Sequence, residues 1–208
     1  MMTRSPAIFV GDAPGLDFLN SVATPVDTPI DWISDGEGLL NWLEQARLVP
    51  VSVLETIRVE ALPRELDEAA DQARRLREWF RGFVQKHRGR PLGKESLAEL
   101  EPLNRLLGRD EAFRRIVPRE HEGLPFELQF ERRWRSPEAL LLPIGEALAE
   151  FVCTEDFSNV KACEGPVCTL LFADHTRGHV RRWCSMALCG NRAKQAAHRR
   201  RLKAHRHQ

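Results

Sequence analysis

Four cysteines fall in two pairs of equal spacing: Cys163-x4-Cys168, fifteen intervening residues, then Cys184-x4-Cys189. Thiolates are soft ligands, and four of them close a tetrahedral shell around Zn2+ with no position left for water or substrate. The pattern predicts one structural zinc ion held by Cys163, Cys168, Cys184 and Cys189, with a role in folding and not in catalysis. Disulfides compete for the same sulfurs. Met1–Val10 lacks a charged segment followed by a long apolar one, however, so the chain is expected to stay in the cytoplasm with its thiols reduced. A mixed shell is the other alternative, because His175 and His179 stand four residues apart inside the gap. The fifth cysteine, Cys153, sits in an apolar helical run and reads as a buried, inert thiol.

The cysteines must be brought together by the elements between them. Leu170–Phe172 suits a short strand, Arg177-Gly178 a turn, and Val180–Trp183 a returning strand that carries Cys184 back toward the first pair. Gly190 offers tight backbone beside a metal-bound cysteine. Asn191 suits a helix N-cap, and Arg192 to about Arg206 contains no Gly or Pro to interrupt the helix. Ala193, Ala196 and Ala197 give that helix a small apolar side. So short a module buries little core, so the metal should supply a large share of its stability.

Charge is divided unevenly along the chain. Residues 161–208 hold eleven Lys or Arg against two Asp or Glu, a net +9, whereas residues 1–160 hold twenty against twenty-eight, a net −8. A basic helix of this density is the footprint of a phosphate-backbone binder. Arg182, Arg192, Lys194, Arg199, Arg200 and Arg201 are the candidate nucleic-acid contacts, with Lys203, Arg206, His198, His205 and His207 adding to the same helix. The plainer reading is a solvated segment docked on the acidic remainder of the chain.

The segment CEGPVCTLLFADHTRGHVRRWCSMALCGNRAK, from Cys163 to Lys194, closely resembles the CGNR zinc finger of bacterial proteins. The matching positions are the cysteines, Phe172, Asp174, Arg181 to Met186, Cys189 to Arg192, and Lys194. His175 and His179 are not part of that pattern. Leu16–Val22 is similar to the domain usually paired with this finger, a stress-induced transcription regulator. The two resemblances imply a DNA-binding regulator.

The rest of the chain reads as mostly helical. Gly38–Leu48, a long helix opened by Pro63 and ending near His87, and Ser96–Leu107 all carry apolar residues at helical spacing. Phe126–Glu131 alternates strictly and predicts a half-buried strand. Ser136-Pro137-Glu138 signals a helix running to about Val152. The expected fold class is α+β: a predominantly helical N-terminal domain with a small β element over 1–157, then a small zinc-bound β-hairpin plus helix over 158–208. Trp32, Trp42, Trp79 and Trp134 read as core.

No nucleophile elbow, phosphate loop, His-Glu-x-x-His or zinc-deaminase signature is present, so no enzyme is expected. No stretch approaches the ~20 apolar residues of a membrane span. Asp17 and Asn20 are polar positions in an apolar run and are the candidates for a small-molecule effector pocket; satisfying nearby backbone is the plainer role. The leading reading is a DNA-binding zinc-finger regulator whose N-terminal domain senses an effector or forms a homodimer. The alternative is a zinc-stabilised module that binds protein or RNA.

Overall fold

The structure is a computed structural model that describes residues 5–25, 27–120 and 123–205. Its fold is α+β, mostly helical, with three separate antiparallel strand pairs. A short helix, α1 (Pro14–Leu19), is almost wholly apolar and sits at the centre of the molecule, with Leu16, Phe18 and Leu19 buried. It packs against α4 (Pro63–His87), α6 (Leu141–Thr154) and a C-terminal strand, β6 (Leu171–Ala173). A segment packed on three sides must be largely apolar, and the one charged side chain of α1, Asp17, is turned to the backbone of Val10 and Gly11.

The long helix α4 begins at Pro63 and ends at His87, as its periodicity predicts, and buries Leu66, Ala69, Ala70, Ala73, Phe80 and Val84. Proline at the first turn loses no hydrogen bond, because that N–H would be unpaired in any case. Its small alanine stretch admits α2 (Gly36–Ala46), whose first turn is capped by the Asp35 carboxylate accepting from Gly38 N at 2.8 Å. An ion pair with a buried guanidinium and a half-buried carboxylate joins α4 to the strand before α2. Arg77 reaches both carboxylate oxygens of Asp31 at 2.9 and 2.7 Å and the Ser21 hydroxyl at 2.9 Å. This fixes the small hairpin of β1 (Val22–Ala23) and β2 (Ile30–Asp31) onto α4. A further helix, α3 (Val51–Glu60), follows α2, opening directly after Pro50.

Several expectations change. Ser96–Leu107 is a 3-10 turn (Lys94–Leu100) leading into α5 (Glu101–Leu107), not one helix; Leu97 is exposed, whereas Leu100, Leu103 and Leu106 are buried. Ser136 begins a 3-10 turn before α6 without a side-chain cap bond. Cys153 is exposed, because it lies on the outer side of α6, away from the face that buries Leu148 and Phe151. Phe126–Glu131 is a strand, within β4 (Phe126–Arg132), paired with β3 (Ala112–Pro118), but it is not half-buried. Alternation sorts side chains onto two faces and does not say that either face is covered. The hydrophobic core is continuous from α1 and α4 through Leu170, Leu171 and Phe172 to Cys163, Cys184 and Cys189.

Candidate metal centre and basic helix

Strand β6 positions the cysteine site. It pairs antiparallel with β5 (Val160–Ala162), in the register Val160↔Ala173 and Ala162↔Leu171. The expected partner, Val180–Trp183, forms no strand; β5 already occupies that edge, and Cys163 N donates to Leu170 O at 2.9 Å to extend the pairing. The opposite edge of β6 would leave backbone groups unpaired inside the core, and the N-terminal segment fills it. Asn20 Nδ2 donates to Leu171 O at 2.8 Å, and Leu171 N donates to Asn20 Oδ1 at 2.9 Å. One step further along, Ala173 N donates to Gly11 O at 2.9 Å. The Asn20 amide thus takes the place of a neighbouring strand, which only a side chain with both donor and acceptor can do.

The same segment holds Asp17, whose carboxylate accepts from Val10 N at 2.9 Å and Gly11 N at 2.8 Å. Burial pushes its pKa up to about 6, against the lowering effect of those two N–H groups. The polar atoms of Asp17 and Asn20 are therefore engaged within the protein: one residue shapes the loop that supplies Gly11, and the other binds β6. In this structure the two side chains from which an effector pocket was expected act on the protein's own backbone.

The four expected ligand sulfurs converge. All four Sγ atoms of Cys163, Cys168, Cys184 and Cys189 lie within 4.8 Å of one another, and Cys168 and Cys184 are 3.9 Å apart. A tetrahedral ion with ~2.3 Å Zn–S bonds requires sulfurs ~3.8 Å apart, so the cluster matches. Three of the residues are buried, and backbone groups already point at the sulfur of Cys163: Cys184 N at 3.2 Å and Gly165 N at 3.4 Å. The Cys163–Cys168 loop wraps closely enough that a Cβ on Gly165 would stand 3.0 Å from Cys189 Sγ. Crowding separates the acidities of the thiols. A hydrogen bond from Cys184, foremost, brings Cys168 down to about 5; the same contact and burial drive Cys184 far above the thiol range; burial takes Cys189 up to about 11. Four thiolates this close need a cation among them, and the donor set fits one zinc ion.

His175 and His179 are engaged elsewhere. His175 Nε2 lies 2.8 Å from Glu155 Oε2, and His179 Nδ1 lies 2.7 Å from Asp174 O. Around the site stand groups that the sequence reading did not assign. Asp174 is wholly buried, which opposes its ionisation, but Lys161 Nζ at 2.7 Å, Thr176 and Arg181 N outweigh burial and hold its carboxyl well below the usual range. Arg181 stacks over the buried Phe172 ring at 4.1 Å and binds Val10 O, Asp12 and Cys184 O. Asp174 and Arg181 are motif positions, and the placement of Asp174 directly after the apolar run Leu170–Ala173 was the available signal.

The final helix starts earlier than expected. Ser185, not Asn191, is the cap, accepting from Leu188 N at 3.0 Å; a π-turn (Met186–Gly190) then runs into α7 (Asn191–His205), where Asn191 is already helical. Gly190 leaves room for the Met186 side chain, whose sulfur would stand 2.4 Å from a Cβ at that position and would have to move aside. The six candidate nucleic-acid residues divide into two groups. The guanidinium of Arg192 binds Leu188 O, Pro25 O and Cys189 Sγ, so it locks the helix start to the metal site and to the β1–β2 loop. Arg182 is paired with Glu164 at 2.6 Å and lies over Trp183. Lys194, Arg199, Arg200 and Arg201 are exposed and make no ion pair with a described residue. Arg206 and His207, and the side chains of Lys203 and His205, lie outside the described residues. A cleft of about 540 Å³ separates α7 from the Cys163–Cys168 loop, with Pro166, Val167 and Trp183 on one wall and Ala196, Arg199 and Arg200 on the other.

No described helix is long and apolar enough to cross a membrane. No curated protein matches the chain. Two family profiles do. One, described as "Putative stress-induced transcription regulator", matches residues 12–155, and the other, the CGNR zinc finger, matches residues 159–202.

Proposed function

The chain belongs to the family described as "Putative stress-induced transcription regulator" and carries a CGNR zinc finger, and from this premise we propose that it binds DNA in the cytoplasm through the phosphate backbone, using α7. The observation that carries the reading is the set of exposed cations Lys194, Arg199, Arg200 and Arg201, which make no ion pair with a described residue, on a helix whose first turn is fixed to the metal site by Arg192. A helix of fifteen residues is about 22 Å long, enough to lie across a groove. Polar helices of this length are marginal without a partner, and a polyanion supplies one. Cys163, Cys168, Cys184 and Cys189 would hold zinc beside the helix origin, and a shell of four thiolates would leave it a structural role. The N-terminal unit is the platform that holds β6 and the finger.

Fluorescence polarisation of the zinc-loaded full chain with a mixed-sequence duplex, over a salt series, tests this. Changing Arg199, Arg200 and Arg201 together to Ala should reduce the steepness of log K against log salt by up to ~2.7, at ~0.9 per phosphate contact. The three side chains are exposed, so the melting temperature should hold. An unchanged slope and affinity would exclude α7 as the binding element. Absence of DNA binding by the wild type would leave the protein- or RNA-binding alternative.

A further inference from the structure

The β3–β4 hairpin presents one face that no described element covers. In its register Arg114 opposes Phe130, Ile116 opposes Leu128 and Pro118 opposes Phe126, so these side chains share a face. Ile116, Phe126, Leu128 and Phe130, with Leu124 near the turn, are between 56 % and 73 % exposed. Two strands alone are marginal in water, and this pair has neither a third strand nor a helix laid over the face. Together the five side chains leave roughly 600 Å² of apolar surface open, at the upper end of what a monomer carries. The surface continues into a cleft of about 580 Å³ at the hairpin root, lined by Leu48, Pro50, Val53, Phe130 and Trp134.

We propose that this face is a homodimer interface, with a second copy of the chain as its occupant, packed on it about a two-fold axis. Area supports this: two such faces buried on each other remove about 1,200 Å² before the root cleft is counted, the threshold for a specific interface. Charge supports it too. The charged side chains of the hairpin are neutralised on its other face, where Arg115 pairs with Glu131 and Arg119 lies near Glu127. Two arginines share this face: Arg132, opposite Ala112 at the root, is neutralised by Asp110 and Glu146, and Arg114 pairs with no described carboxylate, so a charged partner finds little complementarity there, whereas an apolar patch is complementary to itself. Arg114 is free to stack on a phenylalanine of the other copy. This assignment is independent of nucleic-acid binding.

Sedimentation equilibrium of the zinc-loaded full chain decides it. The wild type, 23.8 kDa per copy, should run at about 48 kDa at tens of micromolar. Leu128→Lys buries a second cation beside Arg114 in the interface and should raise the dissociation constant at least about a hundredfold, giving a monomer. Ile116→Lys, on the paired strand, should do the same. Val59→Glu, an exposed apolar position on α3, should remain dimeric. Circular dichroism and zinc content keep the hairpin variants comparable, since both positions are exposed. A monomeric wild type at about 50 µM, or a dimer that survives both hairpin substitutions, would overturn the proposal.

Discussion

Replacing Asn20 with Ala removes the substitute strand from β6. The side chain is buried and satisfies two backbone groups of Leu171, its N–H at 2.9 Å and its C=O at 2.8 Å. Alanine leaves both without partners where water does not reach. Each orphaned buried group costs about 1–3 kcal/mol, so the pair amounts to about 2–6 kcal/mol, a large part of the ~5–15 kcal/mol that holds a domain together. The loss is local to β6, two residues beyond the Thr169 that follows Cys168, so zinc should also escape faster to a chromogenic chelator.

Asn20→Asp sharpens the test. A carboxylate still accepts from Leu171 N but meets Leu171 O with no proton between them, and it ionises inside the core at the C-terminal end of α1, where a negative charge is disfavoured. These effects raise its pKa above the unfolded value. Protonation restores a donor in the same place as the Asn amide, so the deficit relative to wild type should shrink as pH falls from about 8 toward about 5.5. Chemical denaturation of both variants at several pH values reads this directly. An Asn20→Ala variant within about 0.5 kcal/mol of wild type, or an Asn20→Asp deficit independent of pH, would refute the bridging role.

Two further outcomes concern neighbouring groups. Cys184→Ser should reduce bound zinc from one equivalent and, because three of the ligand cysteines share the core with α1 and α4, should lower the melting temperature of the whole chain instead of releasing a detached finger; ~4 kcal/mol of stabilisation at free zinc a thousand times Kd sets the scale, and a calorimetric trace with an unchanged main transition would contradict it. Asp17, with its pKa raised to about 6, holds in the folded state a proton that the unfolded chain has released, so wild-type stability should fall between pH 4 and 6 by on the order of 1 kcal/mol after allowance for partial exposure; Asp17→Asn keeps an acceptor for Val10 and Gly11 and should lack that component, and parallel pH profiles of the two proteins would count against it.

What could be read from the sequence follows from where its information is local. Zinc ligation imposes residue type and spacing together, so the four cysteines were identifiable without any contact map. Helix α4 carries seven turns of apolar periodicity and a proline start, and both its ends agree with the pattern. Residues Val180–Trp183 have strand composition, yet the edge they would join is taken by Val160–Ala162; competition between two segments for one edge is invisible locally. Asn20 stood out as a polar position in an apolar run, but its partner lies 151 residues away. Arg192 looked like a DNA contact on charge alone; its three acceptors come from the π-turn and from Pro25, neither of which a charge count can supply.

The way β6 is held restricts how this architecture can be recombined. A graft that moved residues 159–202 onto another chain would carry the metal ligands but leave Leu171 N and O, Ala173 N and the Arg192 guanidinium facing whatever the recipient offered. A working chimera must bring the stretch from Val10 to Pro25 with it, although more than a hundred residues intervene. For the same reason, substitutions at Gly11 or Asn20 and at positions lining the outer edge of β6 should be inherited as a set, and a laboratory library that diversifies the finger alone samples only variants that still suit this one N-terminal strap.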